Sequence, residues 1–166
     1  MKTLSQSSRA AGINPPVARA EMLIRRSVTE VFEAFVNPAI TSKFWFSKGS
    51  DRLEAGRQVA WHWEMYGFSI QVKAKSVERN ARILVEWPGD GRPSTVEWVF
   101  TSRPDGTTFV SITNKGFSGD ADEAMRQAIA STEGFALVLA GAKALLEHNL
   151  QLNLVRDRFP DGLGKG

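Results

Sequence analysis

Few side chains in this 166-residue chain are of types that move protons, hold metals or attack bonds, and their spacing decides what chemistry is open to it. Asn114 is the one polar residue in phase with Val110 and Ile112. It either points inward, where an amide needs partners, or is held by a strand-end turn. With Tyr66 it makes the only pair of candidates for an internal proton-moving group, and neither is a convincing general base. His62 alternates with Trp61 and Trp63 and so falls on the outer face, while His148 follows Glu147 at a helix end, where its charge suits the terminus. Neither histidine has a second ligand at i+4, so no metal site is read. Glu64, Glu86 and Glu97 share the outer phase of their strands with Lys73 and Lys75, which predicts cross-strand ion pairs rather than two carboxylates in one pocket. Ser27 fits a helix cap, no GxSxG elbow is present, and Gly89-Asp90-Gly91 lacks the lysine of a phosphate loop. No catalytic residue and no cofactor is assigned.

The aromatic residues carry the stronger signal. Five tryptophans and ten phenylalanines are many for this length. Trp61, Trp63, Trp87, Trp98, Phe100 and Ile112 fall on the apolar side of successive strands. Trp45 and Phe117 come from connections, and Phe135, Leu139 and Ala142 from the last helix. Such a set is either a plain core or the wall of a ligand cavity, since pockets are built from the same side chains. With Asn114, these residues form the candidate ligand-binding set. Gly141 and Ala142, small and opposite the rings, either let the helix pack closely or leave space. Lys43, Lys48, Arg52 and Arg57 follow one another near Trp45, as a solvated rim or as an anion or partner surface at the cavity mouth.

Composition bounds the rest. Lys plus Arg number 21 against 18 Asp plus Glu, a formal charge of +3 that calls for no polyanionic partner, and nucleic-acid binding ranks last because the tryptophans sit in the inward phase. No cysteine is present, so disulfides, thiolate sites and a cysteine nucleophile are excluded. The first twelve residues lack the apolar core of a secretory signal, and the run Gly134 to Leu146 is interrupted by Lys143 and shorter than the ~20 residues of a bilayer span. The reading is a cytoplasmic protein without a membrane span.

Patterning then sets the elements. Residues 1–17, with Pro15-Pro16, read as a flexible tail, 18–162 as one domain, and 163–166 as a flexible end. Ala18 to Arg26 suits a strand. Ser27 and Glu30 form a capping box for a helix that ends at Asn37-Pro38, and a second short helix spans Pro38 to Phe44. Five strands of period two follow: Val59 to Met65, Phe68 to Lys75, Ile83 to Trp87, Val96 to Phe100 and Val110 to Asn114. Short turns join them into an antiparallel meander, with Pro104-Asp105-Gly106 as a hairpin turn. A polar helical segment around Ala124 and Ile129 precedes the final apolar helix, opened by Gly134-Phe135. Leu150 to Val155 is expected to dock on the body or on a second copy. This order predicts an α+β helix-grip fold, a curved antiparallel sheet wrapped around a long C-terminal helix, with two short helices after the first strand.

The helical segment Val28 to Phe35 before Asn37-Pro38, Trp87-Pro88, Thr95 to Trp98, Thr108 to Asn114 with Gly116-Phe117, and Gly134-Phe135 leading to Leu145-Leu146-Glu147-His148 together resemble a known superfamily. It contains the birch-pollen allergen, lipid-transfer START domains and polyketide cyclases (SRPBCC). Within it the chain is similar to homologues of the activator of the ninety-kilodalton heat-shock chaperone ATPase, over roughly Ala18 to Gly162. The resemblance implies a cavity between sheet and final helix, often for an apolar or amphipathic molecule, and transfers no catalytic residue. Three functions are therefore carried forward. The leading one is non-catalytic binding of a small hydrophobic or amphipathic ligand, closed in by the Trp45 and Phe117 segments. The others are a chaperone-ATPase-activator-like interaction domain and a cyclase- or dehydratase-like enzyme.

Overall fold

The computed structural model describes residues 14–164. Its strands are β1 (Ala18–Ile24), β2 (Lys48–Gly49), β3 (Gln58–Trp63), β4 (Phe68–Glu78), β5 (Arg82–Trp87), β6 (Ser94–Ser102) and β7 (Thr108–Lys115). Its helices are α1 (Val28–Val36), α2 (Pro38–Thr41), α3 (Ala121–His148) and α4 (Leu154–Arg158). The strands form one antiparallel sheet in the order β1-β7-β6-β5-β4-β3-β2, so the first strand closes against the last and the meander fills the space between. A register shift between Ala74 and Ser76 bends β4 where the sheet curves. α3 lies chiefly against β1, with further contacts to β7 and α1, which completes the helix grip.

Local chemistry explains the boundaries. The Ser27 hydroxyl accepts the Glu30 amide at 3.3 Å, but the Glu30 carboxylate turns to Arg26 at 3.7 Å instead of closing the box. Asn37 ends α1 in extended conformation before Pro38, and its side chain caps α2 by accepting from the Ala39 amide at 3.1 Å. α2 stops at Thr41, short of the expected Phe44, where the buried Thr41 hydroxyl turns back to the Ala34 and Asn37 carbonyls. Residues 42–46 therefore form a tight connection that carries Phe44, Trp45 and Phe46 inward.

Two further expectations are corrected. Met65 does not continue β3, because the chain turns through a single 3₁₀ turn at Glu64–Tyr66 and leaves Met65 exposed. The polar segment and the final helix are one helix of 28 residues, capped by Asp120 through the Glu123 amide, with Gly134 inside it rather than at its start. Its far end closes at Asn149, whose left-handed backbone (φ 53°) brings the Asn149 and Leu150 amides onto the Leu145 and Ala144 carbonyls. Of the tail expected over residues 1–17, positions 1–13 lie outside the described residues, as do 165–166 of the expected flexible end.

By length and composition α3 could cross a membrane. Here Phe135, Val138, Leu139, Ala142 and Leu145 bury its inner face, as in the core helix of a folded domain. Lys143, the charge that interrupts the apolar run, bonds the Leu23 carbonyl at 2.8 Å and Glu147 at 2.5 Å. Burial pushes the Glu147 carboxyl up, but hydrogen bonds from Lys143 and the Arg25 amide, with the nearby positive charges, hold it below the usual carboxylate range.

Candidate functional site

The alternation of β3, β5 and β6 delivers Trp61, Trp63, Trp87 and Trp98 to the inner face, and the connection after α2 drops Trp45 among them. Trp45 is only 9% exposed. Its ring centroid lies 5.0 Å from Trp61, 6.3 Å from Trp63, 6.0 Å from Trp87, 6.1 Å from Trp98 and 5.8 Å from Phe135. Phe46 stacks on Trp61 at 4.9 Å. Tilted and edge-on pairs of this kind are worth about 0.5–1.5 kcal/mol each beyond the area they bury. The space between sheet and α3 is thus occupied at this end by a side chain borne on a loop.

The remaining members of the candidate set divide. Phe100 packs against Phe32 and Phe35 of α1, beside the tryptophan cluster. Ile112, Leu139 and Ala142 are fully buried. Phe117 is half-buried and makes none of the ring contacts among the described residues.

Asn114 points inward and is fully engaged. Its amide nitrogen donates to the Ser94 hydroxyl at 3.0 Å and the Thr95 carbonyl at 2.9 Å, and its oxygen accepts from the Ser131 hydroxyl at 2.8 Å. No strand-end turn holds it; β6 and α3 do. The Tyr66 hydroxyl lies 3.2 Å from the Val155 carbonyl and 3.1 Å from that of Phe159, and burial pushes its pKa up. Both candidates for proton transfer are committed to the protein's own backbone and side chains. Among the described residues no group of three or more His, Asp or Glu is placed to hold a metal ion.

Outer-face charges pair largely as their phase predicts, with Lys75 to Glu86 at 2.9 Å, whereas Glu97 takes Arg82 at 2.6 Å and Glu64 leaves the sheet for the 3₁₀ turn. Two members of the basic run near Trp45 are paired with carboxylates. Arg52 is claimed by Glu33 through two bonds of 2.6 and 2.8 Å, and Arg57 by Glu54 at 3.2 Å. The Arg52 guanidinium holds the Glu33 carboxyl below its ordinary value. A polar cleft of about 420 Å³ opens beside this pair, between α1 and the tip of the β4–β5 hairpin, away from the tryptophans.

A second cleft, of about 320 Å³, reaches Trp45 itself. Phe44, Trp45 and Phe46 form one side, Met65 another, and the segment Gln151 to Arg156 crosses over it. That C-terminal strap was expected to dock on the body or on a second copy, and it docks on the body. Val155 packs on the core, Tyr66 reaches its carbonyls, and Arg158 pairs with Glu133. The backbone enters the strap through two left-handed asparagines, Asn149 (φ 53°) and Asn153 (φ 55°). Sequence reading missed that Tyr66 anchors this strap, and the spacing of the two residues carries no signal of it.

The family model described as "Activator of Hsp90 ATPase homolog 1-like protein" matches residues 25–147. Among solved structures, the protein SSP2350 from Staphylococcus saprophyticus is 28% identical with a TM-score of 0.71, over 82% of this chain and 95% of that one. The Aha1 dimer from Colwellia psychrerythraea is 15% identical with a TM-score of 0.68, over 80% and 96%. DynU16, from the dynemicin biosynthetic locus, is 17% identical with a TM-score of 0.68, over 82% of this chain and 49% of that one. At those identities the last two share the fold alone. No curated protein matches the chain. The chain belongs to the Activator of Hsp90 ATPase homolog 1-like family, with the fold of the START-like superfamily.

Proposed function

We propose that this member of the family is a non-catalytic binding protein that takes a small apolar or amphipathic molecule into the grip, in the place Trp45 fills when the site is empty. The observation that carries the reading is the position of Trp45. It is buried among rings of the sheet and helix, yet it is borne on a loop and borders an open cleft beneath a strap. A side chain so mounted can withdraw without moving a strand, and the walls it leaves are aromatic and apolar, as small-molecule sites are. Burial supplies the affinity and no chemistry is required. The engaged states of Asn114 and Tyr66 speak against a cyclase-like proton transfer.

Titration with the apolar fluorophore N-phenyl-1-naphthylamine tests this, read by probe enhancement and by quenching of the tryptophans. Saturable one-to-one uptake is expected. Absence of saturable uptake in the folded protein would overturn the reading.

The second reading, docking to a chaperone, draws on the family's description and on exposed Met65, Phe68, Leu150 and Leu152, which neighbour the same cleft in structure or sequence. It gains ground if the grip stays closed to every apolar probe and the protein is retained by immobilised chaperone.

A further inference from the structure

Trp98 carries the one indole nitrogen among the described residues that is buried without an acceptor. The residue is 1% exposed, and its ring neighbours are Phe35, Trp45 and Phe135. A buried indole N–H normally finds a partner, because leaving it unmade forfeits the bonds it had in water. The face of a neighbouring ring compensates only weakly. The other unpaired buried side-chain atom among the described residues, Asn80 Oδ1, lies in the β4–β5 turn, and polar side chains nearer the rings are satisfied. Asn114 is satisfied at both ends, Thr41 bonds two carbonyls, and the Thr108 hydroxyl reaches the Arg26 carbonyl at 2.9 Å.

We infer that the molecule taken into the grip is flat, neutral and apolar with a carbonyl oxygen, and that Trp98 Nε1 donates a hydrogen bond to that oxygen. The inference rests on the binding reading above. The Trp98 ring is 6.1 Å from that of Trp45, so an occupant in place of the Trp45 indole lies beside the ring that carries the unpaired donor. That occupant is flat because the room vacated is that of an indole, bounded by Trp61, Trp87 and Phe135. It is neutral because the surroundings are rings, and a carboxylate placed there would be a buried charge without a partner.

A matched pair of probes isolates the oxygen: 9-fluorenone and fluorene differ by the carbonyl alone. Calorimetric titration of the whole chain should show fluorenone binding about tenfold more tightly, the size of one net buried hydrogen bond. In Trp98→Phe the two affinities should become equal, whatever their absolute value. In the unmodified, ¹⁵N-labelled protein one tryptophan indole N–H signal should move downfield with fluorenone and not with fluorene, a readout that stands even if Trp98→Phe does not fold. Equal affinity for the two probes, with no such shift, overturns the role of Trp98 and leaves the binding reading intact. Binding of neither probe up to its solubility overturns the binding reading and this inference with it.

Discussion

Ser131 of α3 donates its hydroxyl to the Asn114 side-chain oxygen at 2.8 Å, joining the last strand to the long helix across 17 positions of sequence. Because the Asn114 nitrogen is held by Ser94 and Thr95 of β6, one amide ties two neighbouring strands to the helix that covers them. Asn114→Ala should cost about 1–3 kcal/mol, since it removes three bonds made by a buried amide and leaves the half-buried Ser94 and Ser131 hydroxyls and the Thr95 carbonyl without it. Ser131→Ala should cost less, about 1 kcal/mol. Urea unfolding decides: equal and negligible losses would mean that the staple contributes nothing.

The two glycines of α3 should respond in opposite ways. A methyl group at Gly134 meets no atom within 4 Å, so Gly134→Ala should stabilise by up to about 1 kcal/mol through helix propensity alone. At Gly141 the added carbon lies 3.2 Å from both Cβ and the carbonyl oxygen of Phe44, in the connection that seats Trp45. Gly141→Ala should lose that gain and disturb the Trp45 environment, seen as a change in near-ultraviolet circular dichroism that Gly134→Ala does not produce.

What periodicity could reveal and what it could not follows from the range of each interaction. The inward phase of Trp61, Trp63, Trp98, Val110 and Ile112 is a property of neighbours two apart, and it predicted the meander. Ser27 and Asn37-Pro38 likewise announced the ends of α1 locally. The position of Trp45 depends on five rings drawn from four other segments and on its own neighbour Phe46, which no local pattern encodes. The same holds for the partners of Asn114 and for Tyr66 against the strap. Gly134 misled because a glycine beside an aromatic reads as a helix start, whereas packing of Phe135 and Val138 carries α3 through it.

Tyr66→Phe should loosen the strap. The hydroxyl bridges to the Val155 and Phe159 carbonyls, so its loss is expected to cost about 1 kcal/mol and to speed amide exchange in residues 154–159 while the β strands stay protected. The pH dependence has a definite sign. Burial raises the folded pKa above the unfolded value near 10, so this contribution is fully present below pH ~10 and is lost as pH rises through the folded pKa. A strap that exchanges no faster in Tyr66→Phe would show that the hydroxyl is not its anchor.

Glu147 and Glu33 separate a buried ion pair from a surface one. The Glu147 side chain is 7% exposed, whereas Glu33 and Arg52 are 37% and 43% exposed. Glu147→Gln should therefore cost about 1–3 kcal/mol, and Arg52→Ala no more than about 1 kcal/mol after solvent screening. The Glu147 carboxyl is held below its ordinary value in the fold, so its contribution is present above the unfolded pKa of about 4.3 and is lost as pH falls through the folded value. Stability measured between pH 6 and pH 3 should fall less steeply in Glu147→Gln than in the unmodified chain.

Native mass spectrometry of protein purified without detergent, compared with the same sample after denaturation, addresses the binding claim most directly. The expected result is one additional small mass per chain, lost on unfolding, or taken up one-to-one when apolar molecules are added to empty protein. A bare chain mass that remains bare after incubation with such molecules would contradict a ligand in the grip, and would leave Trp45 as a permanent part of the core.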